Sequence, residues 1–195
     1  MSANQPNIAD IQRAMRTGGP RPGCYAGRAL VIVCVDVDYC ATEVVAACVG
    51  FGDWTDATAT IESVTRTPGA PAPYESGEFY RRELPYVLAA LAALAAPPRV
   101  IVVDGYVWLG PERPGLGAHL HAALGSAIDV IGVAKRRFEG ATTAIPILRG
   151  TSQLPLFVTA AGTDVGAAAA AVTTMHGPHR LPTMLKRVDR LARDA

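Results

Sequence analysis

No stretch of this 195-residue chain is apolar for long enough to cross a bilayer, and its first residues carry no apolar segment of the kind a secretory leader has. A soluble, cytoplasmic protein is expected. Cysteine is scarce. Cys24, Cys34, Cys40 and Cys48 show no Cys-x-x-Cys spacing and no companion histidine cluster. That excludes a zinc site or a disulfide framework and leaves reduced, mostly buried thiols. An excess of charge is missing too: 18 basic residues stand against 17 acidic ones, a formal net charge of +1. Such a chain has no strong non-specific pull on nucleic acid, although a local basic face suffices for binding. Arg81–Arg82, Lys135–Arg137 and Arg180–Arg190 are the basic clusters, each equally readable as solvated surface. There is no internal repeat. What remains is the composition of a folded chain with a full core, of a length that suits one domain.

What is present in abundance is Val and Ile in short runs that end on acids. Ala29-Leu30-Val31-Ile32-Val33-Cys34-Val35 leads into Asp36-Val37-Asp38-Tyr39. Branched apolar residues over this length fit a buried strand better than a helix. Strand side chains alternate, so Asp36 and Asp38 share one face. A lone carboxylate at a strand end ordinarily reaches solvent, but here the pattern returns in Arg99-Val100-Ile101-Val102-Val103-Asp104-Gly105. If the two strands lie parallel and adjacent, both carboxylates meet at one sheet edge, and in open α/β sheets function sits at the carboxyl ends of strands. A buried carboxylate needs a partner, and a hard cation such as Mg²⁺ is one.

Around these runs the chain reads as follows. Residues 1–27 form a short helix near 7–16 and a Gly/Pro-rich linker, and residues 28–195 a single domain. Glu43 to Phe51 is a second strand in a hairpin with the first. Thr58 to Thr67 alternates apolar and polar residues and is a half-exposed third strand. Residues 67–77 are a loop. Pro85 marks the first turn of a helix over Tyr86 to Ala96, with Glu83 just before it favoured by the helix dipole. A loop over 106–117 precedes a helix over Leu116 to Leu124, whose His119 and His121 are ordinary surface or packing histidines on spacing alone. Ile128 to Ala134 is a strand ending at Lys135. A hairpin joins residues 144–148 to 156–159, and helices follow at Asp164 to Met175 and Leu181 to Arg193. The fold class implied is α/β, a ribonuclease H-like mixed sheet flanked by helices.

Five fragments of the chain together resemble the endonuclease V family, nucleases that cut near deaminated, inosine-containing nucleotides. They are Val35-Asp36-Val37-Asp38-Tyr39; Pro73-Tyr74, Gly77 and Arg82-Glu83-x-Pro85; Val103-Asp104-Gly105 with Pro111, Arg113, Gly115, His119 and Leu120; Ile131-Gly132-Val133-Ala134-Lys135; and Arg180-Leu181-Pro182 with Asp189. The resemblance implies Mg²⁺, with Mn²⁺ as a substitute, held by Asp36, Glu83 and Asp104, with Lys135 and Asp189 completing the catalytic set. It implies contacts to substrate from Pro73, Tyr74, Arg82, Gly105, Gly115 and His119. The implied reaction is hydrolysis of a phosphodiester 3′ of a deaminated nucleotide in DNA or RNA, by a monomer with no membrane partner. The bland reading of Lys135 is a snorkelling surface lysine, and of Pro73-Tyr74 a loop packed on the core.

The chain also departs from that family. Glu75-Ser76 stand where the family is apolar and Pro-rich, and Tyr106-Val107-Trp108-Leu109-Gly110 replaces a His-Gly-x-x-His segment. Val107 takes the place of a glycine beside the base pocket, which implies a narrower or filled pocket. A second reading is therefore a homologue that binds nucleic acid without cutting it. A third is a phosphatase of the haloacid dehalogenase type, since Asp36-Val37-Asp38 fits Asp-x-Asp. That pattern usually continues with a Gly-Thr-like pair rather than Tyr39-Cys40, so it ranks last.

Overall fold

The computed structural model describes residues 32–69 and 79–195. The helix expected near 7–16, the linker to residue 27, Cys24, and the site residues Pro73 and Tyr74 lie outside the described residues. In chain order the elements are β1 Ile32–Tyr39, β2 Glu43–Phe51, β3 Ile61–Pro68, α1 Phe79–Ala92, β4 Val100–Asp104, β5 Trp108–Gly110, β6 Arg113–Pro114, α2 Leu116–Ala123, β7 Asp129–Ala134, β8 Ile145–Ile147, β9 Leu156–Ala161, α3 Val165–Thr174 and α4 Thr183–Arg193.

Among the described residues seven strands form one mixed sheet in the order β3-β2-β1-β4-β7-β9-β8. The first three make the expected antiparallel meander. The centre is parallel, β1 beside β4 beside β7, and β9 and β8 return antiparallel. Strands with Val and Ile at nearly every position are those that bury both faces, and β1, β4 and β7 are of this kind. On one face Val33, Val35, Ile101 and Val103 pack against α1 and α2 through Leu84, Leu88, Leu91 and Leu120. On the other, Ile32, Cys34, Val102, Ile131 and Val133 pack against α3 and α4 through Ala168, Val172, Leu185 and Val188. By contrast β3 alternates half-buried and exposed residues along its whole length, as an edge strand covered on one side does.

Several boundaries differ from the sequence reading: the helix expected to run to Ala96 ends at Ala92, the third strand starts at Ile61 rather than Thr58, and the last helix starts at Thr183 rather than Leu181. The helix expected to begin at Tyr86 begins at Phe79, so Pro85 sits inside it rather than in its first turn. Pro85 removes one hydrogen bond to the preceding turn. The helix survives because Leu84, Val87, Leu88 and Leu91, spaced three and four apart, all go into the core. Glu83 is consequently a buried residue in the body of α1, not an exposed one ahead of it. The loop expected over 106–117 contains the small β5–β6 hairpin. No helix among the described residues is long and apolar enough to cross a membrane.

Candidate active site

Parallel register brings together Asp36, which lies inside β1 rather than at the strand end its apolar run suggested, and Asp104, the last residue of β4. Val35 pairs with Val103, so the next residue on each strand is Asp36 and Asp104. Both continue the even-numbered side of their strands, the side of Cys34 and Val102, which faces α3 and α4. On β7, Asp104 is opposite Val133. Lys135 lies two residues further on, again on the α4 side, and its Nζ donates to Asp104 Oδ2 at 2.5 Å. A small cleft is lined by Asp36, Asp104, Val133, Lys135 and three residues on or just before α4: Leu181, Leu185 and Val188. Helical spacing puts Leu185 and Val188 on the apolar side of this amphipathic helix, but only the packing of α4 across the sheet edge shows which of its residues meet the acids.

The electrostatics follow from this crowding. Asp36 Oδ1 accepts a hydrogen bond from Val37 N at 2.9 Å. Burial, then the charge of Asp104 with a smaller push from Asp189, nevertheless raises the Asp36 carboxyl to about 6. Lys135 goes the other way from a simple buried amine. Burial pulls it down, but its bond to Asp104 and the charges of Asp104, Asp189 and Asp36 raise it overall, so it is a firm cation. It holds positive charge at the cleft. Asp189, on α4, contributes its charge to this group while its Oδ1 accepts from Arg193 Nη2 at 2.8 Å.

Glu83 comes from the opposite face. Its helix, α1, packs on the Val33–Val35 side, and its carboxyl is felt by Asp36 and Asp104 around the sheet edge. Burial first, then those two carboxylates, raise it to about 8. Tyr39 stands next to it, close enough to lower it slightly, although among the described residues the Tyr39 hydroxyl makes no hydrogen bond of standard geometry. The Arg82 guanidinium lies over the Tyr39 ring at 3.9 Å, a cation–π contact that keeps positive charge beside Glu83. Among the described residues no three acidic, histidine or cysteine side chains stand together in a way that would hold a metal ion.

Of the other expected substrate residues that are described, Gly105 follows Asp104 directly and Gly115 bonds the segment behind it. Gly105 has φ +143, a conformation that only glycine adopts without strain. Its carbonyl lies where a Cβ on Gly132 would stand 2.5 Å away, with Val107 N at 2.8 Å and Thr159 Oγ1 at 2.9 Å. Gly132 therefore lets the Asp104–Val107 segment lie flat on β7, the usual meaning of glycine inside a buried strand. Gly132→Ala is expected to push that segment off and cost about 1–3 kcal/mol, read as a lower urea midpoint with the slope unchanged. Val107 is fully buried. Its N donates to Thr159 Oγ1 at 2.8 Å, its carbonyl accepts from Gly115 N at 2.8 Å, and its side chain fills the space above Gly117. Trp108 Nε1 donates to Ala160 O at 3.1 Å, so the 106–110 segment is pinned to β9. His119 stacks on Tyr80 with ring centroids 3.5 Å apart. Thus Asp36, Asp104, Lys135 and Asp189 gather on one side of the sheet edge, and Glu83 with Arg82 on the other.

The geometry can be set beside known proteins. The endonuclease V family model matches residues 26–177. Endonuclease V of Streptomyces coelicolor is 34% identical over 200 residues, spanning 91% of this chain and 82% of that protein. The solved structure of endonuclease V from Streptomyces avermitilis aligns with a TM-score of 0.67 at 29% identity, covering 99% of this chain and 93% of that one. Endonuclease V of Ciona intestinalis, solved with DNA containing an inosine, aligns with a TM-score of 0.69 over 95% of this chain and 94% of that one, at 17% identity. The shared fold is the ribonuclease H-like one expected from the strand order. A family match over most of the sequence, and relatives alike along nearly all of it, carry one conclusion: this chain belongs to the endonuclease V family of nucleases.

Proposed function

We propose that this protein is a Mg²⁺-dependent endonuclease that hydrolyses the phosphodiester 3′ of a deaminated, inosine-type nucleotide in DNA or RNA. The observation that carries it is the parallel register of β1 with β4, which places Asp36 and Asp104 one step beyond the Val35–Val103 pair on adjacent strands, with the Lys135 ammonium on Asp104. The inosine-bearing DNA held by the Ciona relative supports the substrate class.

The residues present fit a hard divalent cation. The donors are all carboxylate oxygens, and burial with mutual repulsion raises Asp36 and Glu83 well above the usual carboxylate range. That excess of negative charge is relieved by a dication. Mg²⁺ keeps several waters and takes only one or two carboxylates from a protein, so a closed three-acid cage is not needed. Asp36 and Asp104 would hold it, with Glu83 acting from across the edge. When bound, it supplies Lewis-acid stabilisation of the charge that develops on the phosphoryl oxygens. The chain's own groups do the rest. Lys135 presents a fixed cation where the scissile phosphate must lie and orders the attacking water. The wall of Leu181, Leu185 and Val188 excludes bulk water from one side, which strengthens these charge interactions.

The test is cleavage of labelled single-stranded DNA and RNA, each with and without one inosine, in Mg²⁺ and in Mn²⁺. A product 3′ of inosine that needs the dication is expected. The buried Val107 favours one other reading, a binder that does not cut. Retention of the inosine strand with no product in either metal would establish that reading and end the first.

A further inference from the structure

We propose that Arg180 is a positioning residue of this site: its guanidinium fixes where the chain leaves β7 and so holds the Lys135 ammonium on Asp104. The proposal rests on the reading of Asp104 and Lys135 as the working pair. Strand pairing cannot do this job, because the β7–β9 ladder ends at Ala134 opposite Phe157. The next carbonyl, that of Lys135, is taken up instead by Arg180 Nη2, which also donates to Pro155 O at 2.7 Å. One guanidinium thus ties together the end of β7, the lead-in to β9 and the lead-in to α4. Among the described residues its buried Nε has no hydrogen-bond partner, and the two carbonyls are what the guanidinium binds there.

Arg180 is itself anchored. Arg149, 5% exposed, donates to the carbonyls of Thr173, Met175, Gly177, His179 and Arg180. This buried fan fixes the connection between α3 and α4 from which Arg180 projects. Contacts therefore run unbroken from Arg149 to the Arg180 backbone, from the Arg180 side chain to the Lys135 backbone, and from Lys135 Nζ to Asp104 Oδ2. A lysine on a flexible four-carbon stem keeps a defined contact only if its backbone is held, and a displacement of about 1 Å can cost roughly a hundredfold in rate.

The sequence offers an unusually direct readout, because its two lysines are Lys135 and Lys186. Trace acylation of the metal-free, substrate-free protein, read by peptide mass spectrometry, reports Lys135 against Lys186 as an internal standard. Asp104→Asn sets the value for a released Lys135. Arg180→Gln is expected to raise the Lys135/Lys186 ratio about threefold or more, toward that value; an unchanged ratio overturns the proposal. Should the Gln variant fail to fold by circular dichroism, Arg180→Lys replaces it, with a rise of about twofold expected and an unchanged ratio again decisive. In cleavage assays Arg180→Gln should lower kcat about tenfold or more with KM within about twofold. Added to Lys135→Ala it should cause no further loss. Additive losses, or a raised KM with kcat intact, would make Arg180 an independent or substrate-contacting group and overturn the proposal. A wild type that does not cleave defeats the functional reading alone, and the acylation ratio still judges Arg180.

Discussion

Asp36→Asn and Asp104→Asn are each expected to lower turnover on an inosine-containing strand by roughly a thousandfold or more while leaving the protein folded. The two halves of this expectation have separate grounds. Each substitution keeps the side-chain shape and removes a negative charge from the place where the register of β1 and β4 brings two carboxylates together. Neither removes a large stabilising interaction. Asp36 is a carboxylate already disfavoured by burial and by Asp104, so its neutral amide relieves a repulsion. Asp104 loses its bond to Lys135, but that pair is partly exposed, with side chains 34% and 40% accessible; such a pair is worth at most about 1 kcal/mol. Melting curves and affinity for the inosine strand should therefore stay near wild type while product formation disappears. Undiminished cleavage by either variant would remove the aspartate pair from the mechanism.

The second large effect is on stability as a function of pH in the metal-free protein. Asp36 is raised to about 6 and Glu83 to about 8, whereas both titrate near pH 4 in an unfolded chain. Between those limits the folded state binds more protons than the unfolded state, so the stability slope against pH is negative. The stabilisation is fully present below about pH 4, and it is lost as pH rises through about 6 and then about 8. A gap of one pH unit between folded and unfolded titration midpoints corresponds to about 1.4 kcal/mol, and about 1 kcal/mol moves Tm by roughly 2–4 °C in a chain of this size. The Tm of metal-free protein should thus fall by several degrees from pH 5 to pH 8. Glu83→Gln should flatten the upper part of that fall and Asp36→Asn the lower part. Mg²⁺ should raise Tm at pH 8 and do little at pH 5, because a dication competes with protons for the same carboxylates. A Glu83→Gln profile parallel to wild type would show that Glu83 is not the buried acid responsible.

The buried position of Glu83 is also where the sequence misleads. Pro85 reads as a helix start, which puts Glu83 outside the helix as a dipole partner. The helix instead starts at Phe79, since the apolar spacing of α1 outweighs the single hydrogen bond that Pro85 forfeits. Asp164 shows the opposite case. Read as the first residue of a helix, it is the N-cap of α3 and accepts from Ala167 N at 2.8 Å; this signal is local and so survives without tertiary information.

Sequence alone determined the strands of the main sheet, the acids that follow their apolar runs, the helices on either side and, through five short fragments, the family. Runs of Val and Ile, helical spacing and caps are properties of neighbours in the chain, and they act before any long-range contact is made. Tertiary structure decided how the ends combine. It set the register that puts Asp36 level with Asp104, the face that gives the aspartates to α4 and Glu83 to α1, and the wall of Leu181, Leu185 and Val188. It also decided the fixing of Lys135 by an arginine 45 residues away. These depend on which strands pair and which helix covers which face, and no local preference of the chain encodes either.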